Sequence, residues 1–217
     1  MFPELLLKRI ETSGVIAVLT VDNPEDALPL AQALADGGVS AIELTLRTSS
    51  AIESIRRIRT GLPDMLIGAG TVLNPAQLKE VKAAGAMFGV SPGCNPSTLR
   101  AAKEMGLPFA PGIATPSDIE IAVEHGCKLL KFFPAETSGG LVHLTTMGAP
   151  FKHLGLRYIP LGGITPGQLG EYLKSPLVAS VGGSWLAKPE VIARRDWAAI
   201  KTAAAAAIEV VRTIRGR

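Results

Sequence analysis

A short pattern recurs along this chain: a polar residue, a proline, a helical run, a glycine. Asn74-Pro75 opens Pro75–Ala84 and Gly85 closes it; Asn95-Pro96 opens Pro96–Met105 and Gly106 closes it; Thr115-Pro116 opens Pro116–His125 and Gly126 closes it. Pro24 opens Pro24–Ala35 behind Asp22 and Asn23, with Gly37-Gly38 at its end, and Thr165-Pro166 opens a run toward Lys174. Each position has a physical reason. The polar side chain accepts a hydrogen bond from an otherwise unpaired amide of the first turn. Proline there wastes no amide and arrives with a helical φ. Glycine takes the left-handed conformation that ends the helix.

Between these helices lie short apolar runs: Val15–Leu19, Ala41–Leu44, Met65–Ala69, Met87–Val90, Pro108–Pro111, Lys128–Phe132, Arg157–Leu161 and Val178–Gly182. Most lack polar alternation, as parallel strands buried on both faces do. Their spacing of about 20 to 30 residues suits one strand, a crossover helix and two loops. The pattern predicts an α/β chain, specifically a (β/α)8 TIM barrel, with a short amphipathic helix at its N-terminus within Met1–Glu11. An open doubly wound sheet is the alternative; even spacing and the lack of GxGxxG after the first strand favour the barrel. No linker divides residues 1–217, so a single barrel domain is expected. The alanine run Ala203–Ala207 falls in a predicted C-terminal helix, Trp197–Ile214, where alanine is the best helix former.

Composition narrows the function classes. Net charge is +3 and aromatics are 5%, with Lys and Arg scattered, so no nucleic-acid partner is expected. The tightest basic group, Arg56, Arg57 and Arg59, reads as the solvated face of a helix. Cys94 and Cys127 form neither a disulfide framework nor, with His125, a metal site. No secretory leader and no apolar run of membrane-spanning length is seen, which points to the cytoplasm and to no membrane partner.

In a barrel of parallel strands the chemistry lies where strands end and loops begin. Charged residues stand there among apolar ones. Lys131, in Lys128-Leu-Leu-Lys-Phe-Phe-Pro134, falls at the catalytic end of its strand, while Lys128 opens the other end on the opposite face. Burial among Leu and Phe favours the neutral amine, the form that attacks a ketone carbonyl; a lysine that snorkels to the mouth or pairs with a carboxylate is the other reading. Glu43, in Ala41-Ile-Glu-Leu-Thr-Leu-Arg47, needs a partner, either Lys131 or Arg47. It is a general acid/base or half of a structural ion pair. Arg47 offers a planar fork to a carboxylate, or simply starts the next helix. Leu161-Gly-Gly-Ile164 and Val181-Gly-Gly-Ser184 follow the last two strands, where backbone amides can cradle phosphate.

Taken together these residues are recognisable. The chain resembles the 2-keto-3-deoxy-6-phosphogluconate (KDPG) aldolase family, which includes 4-hydroxy-2-oxoglutarate aldolase activity. The matching stretches are Glu43-Leu-Thr-Leu-Arg-Thr48, Gly68-Ala-Gly-Thr-Val-Leu-Asn-Pro75, Ser91-Pro-Gly93, Pro111-Gly-Ile-Ala-Thr115, Lys131-Phe-Phe-Pro-Ala-Glu136, Gly162-Gly-Ile164 and Gly182-Gly-Ser-Trp185. They run in family order over nearly the whole chain. The resemblance implies a class I aldolase working without metal or other cofactor, as a homotrimer, on a small and phosphorylated 2-oxo acid. It makes Lys131 the Schiff-base lysine and Glu43 the general acid/base. It puts Arg47 and Thr71 on the pyruvate carboxylate, Pro92 and Phe133 beside the reacting carbons, and Gly162, Gly163, Gly183 and Ser184 around the phosphate. One position departs: the family pattern has Thr before Gly162-Gly163, where this chain has Leu161. Leucine offers the substrate no hydroxyl, so the configuration at C4 is open, with the phosphogalactonate aldolases as the alternative branch. Two other readings are an isomerase or epimerase using Glu43 without an imine, and a phosphate sensor without turnover.

Overall fold

A computed structural model of the chain describes residues 2–216. Its strands are β1 (Val15–Leu19), β2 (Ala41–Thr45), β3 (Leu66–Gly70), β4 (Phe88–Val90), β5 (Phe109–Ala110), β6 (Gly112–Ile113), β7 (Leu129–Phe132), β8 (Arg157–Pro160) and β9 (Val181–Gly183). The ladders are parallel and run β5-β4-β3-β2-β1-β9 and β6-β7-β8. Parallel bridges from Tyr158 to Val178 and from Leu161 to Gly182 join β8 to β9. β5 and β6 are one strand interrupted at Pro111, which has no N–H for the ladder. Counted so, the ring closes on the expected (β/α)8 barrel, with β2 and β7 on opposite sides of it.

Burial divides into an inner and an outer layer. Inside the ring lie Ile16, Ala41, Leu66, Phe88, Val90, Ala110, Leu129, Ile159 and Ala179. The N-terminal helix α1 (Glu4–Ser13) contributes Leu6 and Ile10 to this same cluster, so α1 closes the ring at the end where strands begin. Residues one position along each strand, such as Ala17, Ile42, Ile67, Leu130 and Tyr158, pack outward beneath the helices. This alternation is the period of the strand read from both sides.

The outer helices are α2 (Ala27–Asp36), α3 (Ala51–Gly61), α4 (Pro75–Ala83), α5 (Pro96–Glu104), α6 (Pro116–Glu124), α7 (Gly140–Gly148), α8 (Leu169–Lys174), α9 (Pro189–Ala193) and α10 (Trp197–Arg215). Asn74 accepts from the amide of Gln77 at 3.0 Å and Asn95 from that of Ser97 at 3.0 Å, while Thr115 and Asp118 form a reciprocal capping box. Two starts differ from expectation. Pro24–Asp26 is a 3-10 turn before α2, and Pro166–Gln168 is a 3-10 turn before α8. In each the first turn is wound tighter than the body, a common helix end. α7 has no counterpart among the expected helices: it begins at Gly139-Gly140 and lacks the polar-residue–proline signal. Arg57 lies on α3 and pairs with Glu53 and Glu25 at the surface, as a solvated basic face does. No helix among the described residues is long and apolar enough to cross a membrane.

Candidate active site

Lys131 and Glu43 meet inside the barrel. Lys131 is the third residue of β7 and Glu43 the third of β2. They are 88 residues apart in sequence, yet Nζ donates to Oε1 across 2.9 Å. The two side chains are 6% and 3% exposed, so water supplies almost none of their solvation. The Nζ also lies 5.3 Å from the ring centroid of Phe133, within cation–π range. Of the two partners the sequence leaves open for Glu43, the fold selects Lys131. Arg47 is exposed beyond the end of β2 and pairs with no carboxylate among the described residues. It stands at the rim of the barrel. Lys128 is exposed just ahead of β7, at the end away from the mouth.

The neighbours of the pair follow from where small residues stand. Gly70 faces Glu43 from β3: a Cβ there would lie 2.1 Å from Oε1. Glu43 therefore reaches Lys131 only because position 70 carries no side chain. Gly112 is the ladder partner of Lys131, and a Cβ on it would meet the Pro92 carbonyl oxygen at 2.1 Å. This brings the Ser91-Pro-Gly93 turn down over the strand beside the lysine. Thr71 follows Gly70 with φ 58°, a left-handed conformation that is a true outlier for a β-branched residue and costs on the order of 1–3 kcal/mol. The flanking bonds, Leu46 N–H to the Gly70 carbonyl at 2.8 Å and Val72 N–H to the Val90 carbonyl at 3.2 Å, hold it there.

The loops after β8 and β9 complete the mouth. Leu161 is buried, and a Cβ on Gly182 would strike its Cδ1 at 2.3 Å. Gly162 packs beside Phe133 and Pro134, which a Cβ at 162 would approach to 3.2 and 3.1 Å. Gly162 and Gly163 have φ of 107° and 80°, open only to glycine at little cost. Gly183 is covered by the Trp185 ring, and Ser184 is exposed at the start of a 3-10 turn. Thus Gly162 leaves no room for a side chain beside Phe133, and Leu161 lies between the lysine strand and the β9 loop, its N–H on the Phe132 carbonyl and its side chain against Gly182.

Three groups of residues were not singled out from sequence. Gly70 sits in a quoted stretch, and a glycine inside a strand signals close approach, but nothing local says what approaches. Thr45, on the same face as Glu43, donates to the Leu19 carbonyl at 3.1 Å and meets the Thr20 hydroxyl at 2.9 Å, tying β2 to β1 at the mouth. Glu136, next to the lysine strand, binds Gln168 and Tyr172; its partners are far away in sequence and leave no local trace.

A buried lysine paired with a buried carboxylate, at the loop end of a parallel barrel, is an arrangement in which an amine can act as nucleophile with an acid/base beside it. Residues 6–203 match the family model described as "Aldolase: KDPG and KHG aldolase". The KHG/KDPG aldolase of Escherichia coli K12 is 42% identical over 92% of this chain and 93% of its own length. The 2-dehydro-3-deoxy-phosphogluconate aldolase of Pseudomonas aeruginosa is 42% identical over 93% of this chain and 92% of its own. A crystal structure of the Legionella pneumophila KDPG aldolase, with pyruvate captured as a covalent carbinolamine, superposes with a TM-score of 0.88 at 39% identity, covering 93% of this chain and 97% of that one. The chain belongs to the KDPG and KHG aldolase family.

If Gly70 exists to admit Glu43, Gly70→Ala should lower stability by about 1–3 kcal/mol, the usual cost of overpacking. Denaturant unfolding measures it; an unchanged midpoint would sink the assignment.

Proposed function

We propose that this chain is a class I aldolase that cleaves 2-keto-3-deoxy-6-phosphogluconate to pyruvate and glyceraldehyde 3-phosphate, and 4-hydroxy-2-oxoglutarate to pyruvate and glyoxylate. The observation that carries this reading is the 2.9 Å contact between Lys131 and Glu43. An amine nucleophile and its proton partner lie within transfer distance before substrate arrives.

The steps follow from these atoms. The Lys131 amine, after passing a proton to Glu43, adds to the C2 carbonyl and gives a carbinolamine. Glu43 returns a proton to the hydroxyl, water leaves, and a protonated imine remains. The imine is an electron sink. As Glu43 takes the C4 hydroxyl proton, the C3–C4 bond breaks, its electrons run to nitrogen, and the aldehyde departs. The resulting enamine is protonated at C3, and water then releases pyruvate from the lysine. Such acid/base assistance contributes about 10² to 10⁴ in rate. Arg47 and Thr71 would receive the C1 carboxylate, Pro92 and Phe133 would flank the reacting carbons, and Gly162, Gly163, Gly183 and Ser184 would receive the phosphate. Supporting this, Arg47 is the exposed cation at the end of the Glu43 strand, and Phe133 leans on both Lys131 and Gly162. Leu161 gives the wall near C4 no hydroxyl, so the C4 epimer is held by shape alone. A pocket without that hydrogen bond discriminates weakly between hydroxyl configurations.

Incubation with pyruvate and borohydride should leave a stable adduct on Lys131, and Lys131→Arg should abolish both adduct and turnover. A folded protein that forms no adduct, or an active Lys131→Arg, would overturn the imine mechanism and favour an isomerase working through Glu43. A substrate panel of the phosphogluconate- and phosphogalactonate-derived keto acids against 4-hydroxy-2-oxoglutarate tests the far end of the site. The phosphorylated gluconate compound should have the highest kcat/KM, and Leu161→Thr should sharpen the choice between the C4 epimers. Turnover indifferent to phosphate removes the role given to the glycine loops. We further infer that the chain acts in the cytoplasm as a homotrimer of single-domain barrels. The family resemblance alone supports the assembly, and light scattering at the mass of one 22.7 kDa chain would overturn it.

A further inference from the structure

The lysine strand and the Gly162-Gly163 loop are joined by one residue, Glu136, in two ways. Through the main chain, its N–H donates to the Gly162 carbonyl at 2.9 Å, just after Ala135 N–H donates to the Leu161 carbonyl at 2.8 Å. The peptide between Gly162 and Gly163 is trans, so a carbonyl held toward Glu136 turns the Gly163 N–H away from it. Through the side chain, Oε2 accepts from Gln168 Nε2 at 2.7 Å, and Oε1 accepts from the Tyr172 hydroxyl. Gln168 in turn accepts from the Thr165 amide at 2.9 Å and the Thr165 hydroxyl at 2.8 Å. Tyr172 is 1% exposed on α8. Its hydroxyl is pushed up from the usual tyrosine range by burial first, and then by Glu136, so it stays a donor across the working pH range.

The surroundings are shaped to this carboxylate. A Cβ on Gly163 would come within 2.9 Å of Glu136 Cβ, and one on Gly140 within 3.3 Å of Oε1. Two glycines, one in the loop after β8 and one at the start of α7, leave it room. Four residues along β7 and its loop separate Lys131 from Glu136, and the same carboxylate grips both the turn that follows Gly163 and the helix behind it. With an anion expected at that loop, a second negative charge nearby would be unfavourable unless held by its own donors and kept turned to them.

We propose that Glu136 is a positioning residue for the reaction. It braces the Gly162-Gly163 loop against the Lys131 strand and so fixes the span between the imine-forming amine and the distal anion of the substrate. The proposal rests on the glycine loop being the phosphate end, as argued above. A charge-assisted hydrogen bond is worth enough that losing one should weaken binding by roughly tenfold.

Glu136→Gln and Tyr172→Phe are therefore compared with the unaltered chain on two substrates, phosphorylated 2-keto-3-deoxygluconate and unphosphorylated 4-hydroxy-2-oxoglutarate. In both variants KM for the phosphorylated substrate should rise by roughly tenfold, with kcat less affected. Kinetics on the unphosphorylated substrate, and the rate of borohydride trapping of pyruvate on Lys131, should stay as they were. Equal losses on both substrates, tracking a lowered Tm, would make Glu136 merely structural and overturn the proposal. So would an unchanged KM for the phosphorylated substrate. If Glu136→Gln does not fold, Tyr172→Phe alone decides, since it removes one donor from the carboxylate and leaves Glu136 and the glycine loop in place. An unaltered enzyme that itself ignores the phosphate counts against the phosphate end of the site instead, a result separate from either variant outcome.

Discussion

The pairing of Lys131 with Glu43 sets terms that the rest of the barrel has to meet. Taking two charges out of water costs several kcal/mol per ion, and the interaction between them offsets this only when their geometry is good. Here the two come from strands on opposite sides of the ring, so the contact exists only if the ring is closed and narrow. α1 shuts the far end with Leu6 and Ile10, and Leu66, Phe88 and Leu129 fill the layers between. The pair sits on a dry floor and faces solvent only through the mouth.

A narrow ring cannot hold large side chains from every strand at one level. The interior meets this by setting large residues against glycines. The Phe88 ring fills the space above Gly68, Glu43 that above Gly70, and Leu161 that above Gly182, each so closely that a Cβ would fall between 2.1 and 2.3 Å of the neighbouring atoms. Close packing of this kind transmits small changes. It leaves Glu43 little room beside Gly70, on the side from which it reaches Lys131 at 2.9 Å. Thr71 carries the remaining tension. Its left-handed backbone is retained by hydrogen bonds on both sides, and strain of this kind persists only where the surrounding structure over-determines it.

Much of this was legible in the sequence, for identifiable reasons. Strand order, helix starts and the barrel follow from signals confined to a few residues: an apolar run, a cap, a proline, a glycine. Lys131 and Glu43 were legible as charges out of place in apolar strands. Their contact was not, because Arg47 was an equally good partner until closure put β2 opposite β7. The break at Pro111 and the 3-10 turns at Pro24 and Pro166 are local, yet they depend on how the ladder and the loops fit around them. α7 begins without a cap and so announced itself by nothing. Gly70, Thr71 and Glu136 make the sharpest contrast. All three lie in stretches whose resemblance to the family was plain, yet what surrounds Gly70 and Glu136 is set by residues dozens of positions away: Glu43 for Gly70, and Gln168 and Tyr172 for Glu136.

Specificity at the far end of the substrate is constrained by the same packing. Leu161 and Gly182 are bridge partners on adjacent strands, and the leucine side chain occupies the volume that any Cβ at 182 would need. A smaller, hydroxylated residue at 161 would leave part of that volume empty, or draw water into it. A larger residue at 182 would push Leu161 toward the substrate. The side chains at 161 and 182 therefore share one volume, while Leu161 is tied to the lysine strand through its N–H, which donates to the Phe132 carbonyl at 3.0 Å. On the proposed function the two parts of the site differ in kind: Lys131 and Glu43 meet across the barrel from opposite walls, whereas Leu161 and Gly182 pack against each other at neighbouring strand ends, so a change of side chain at 161 removes no group of the pair.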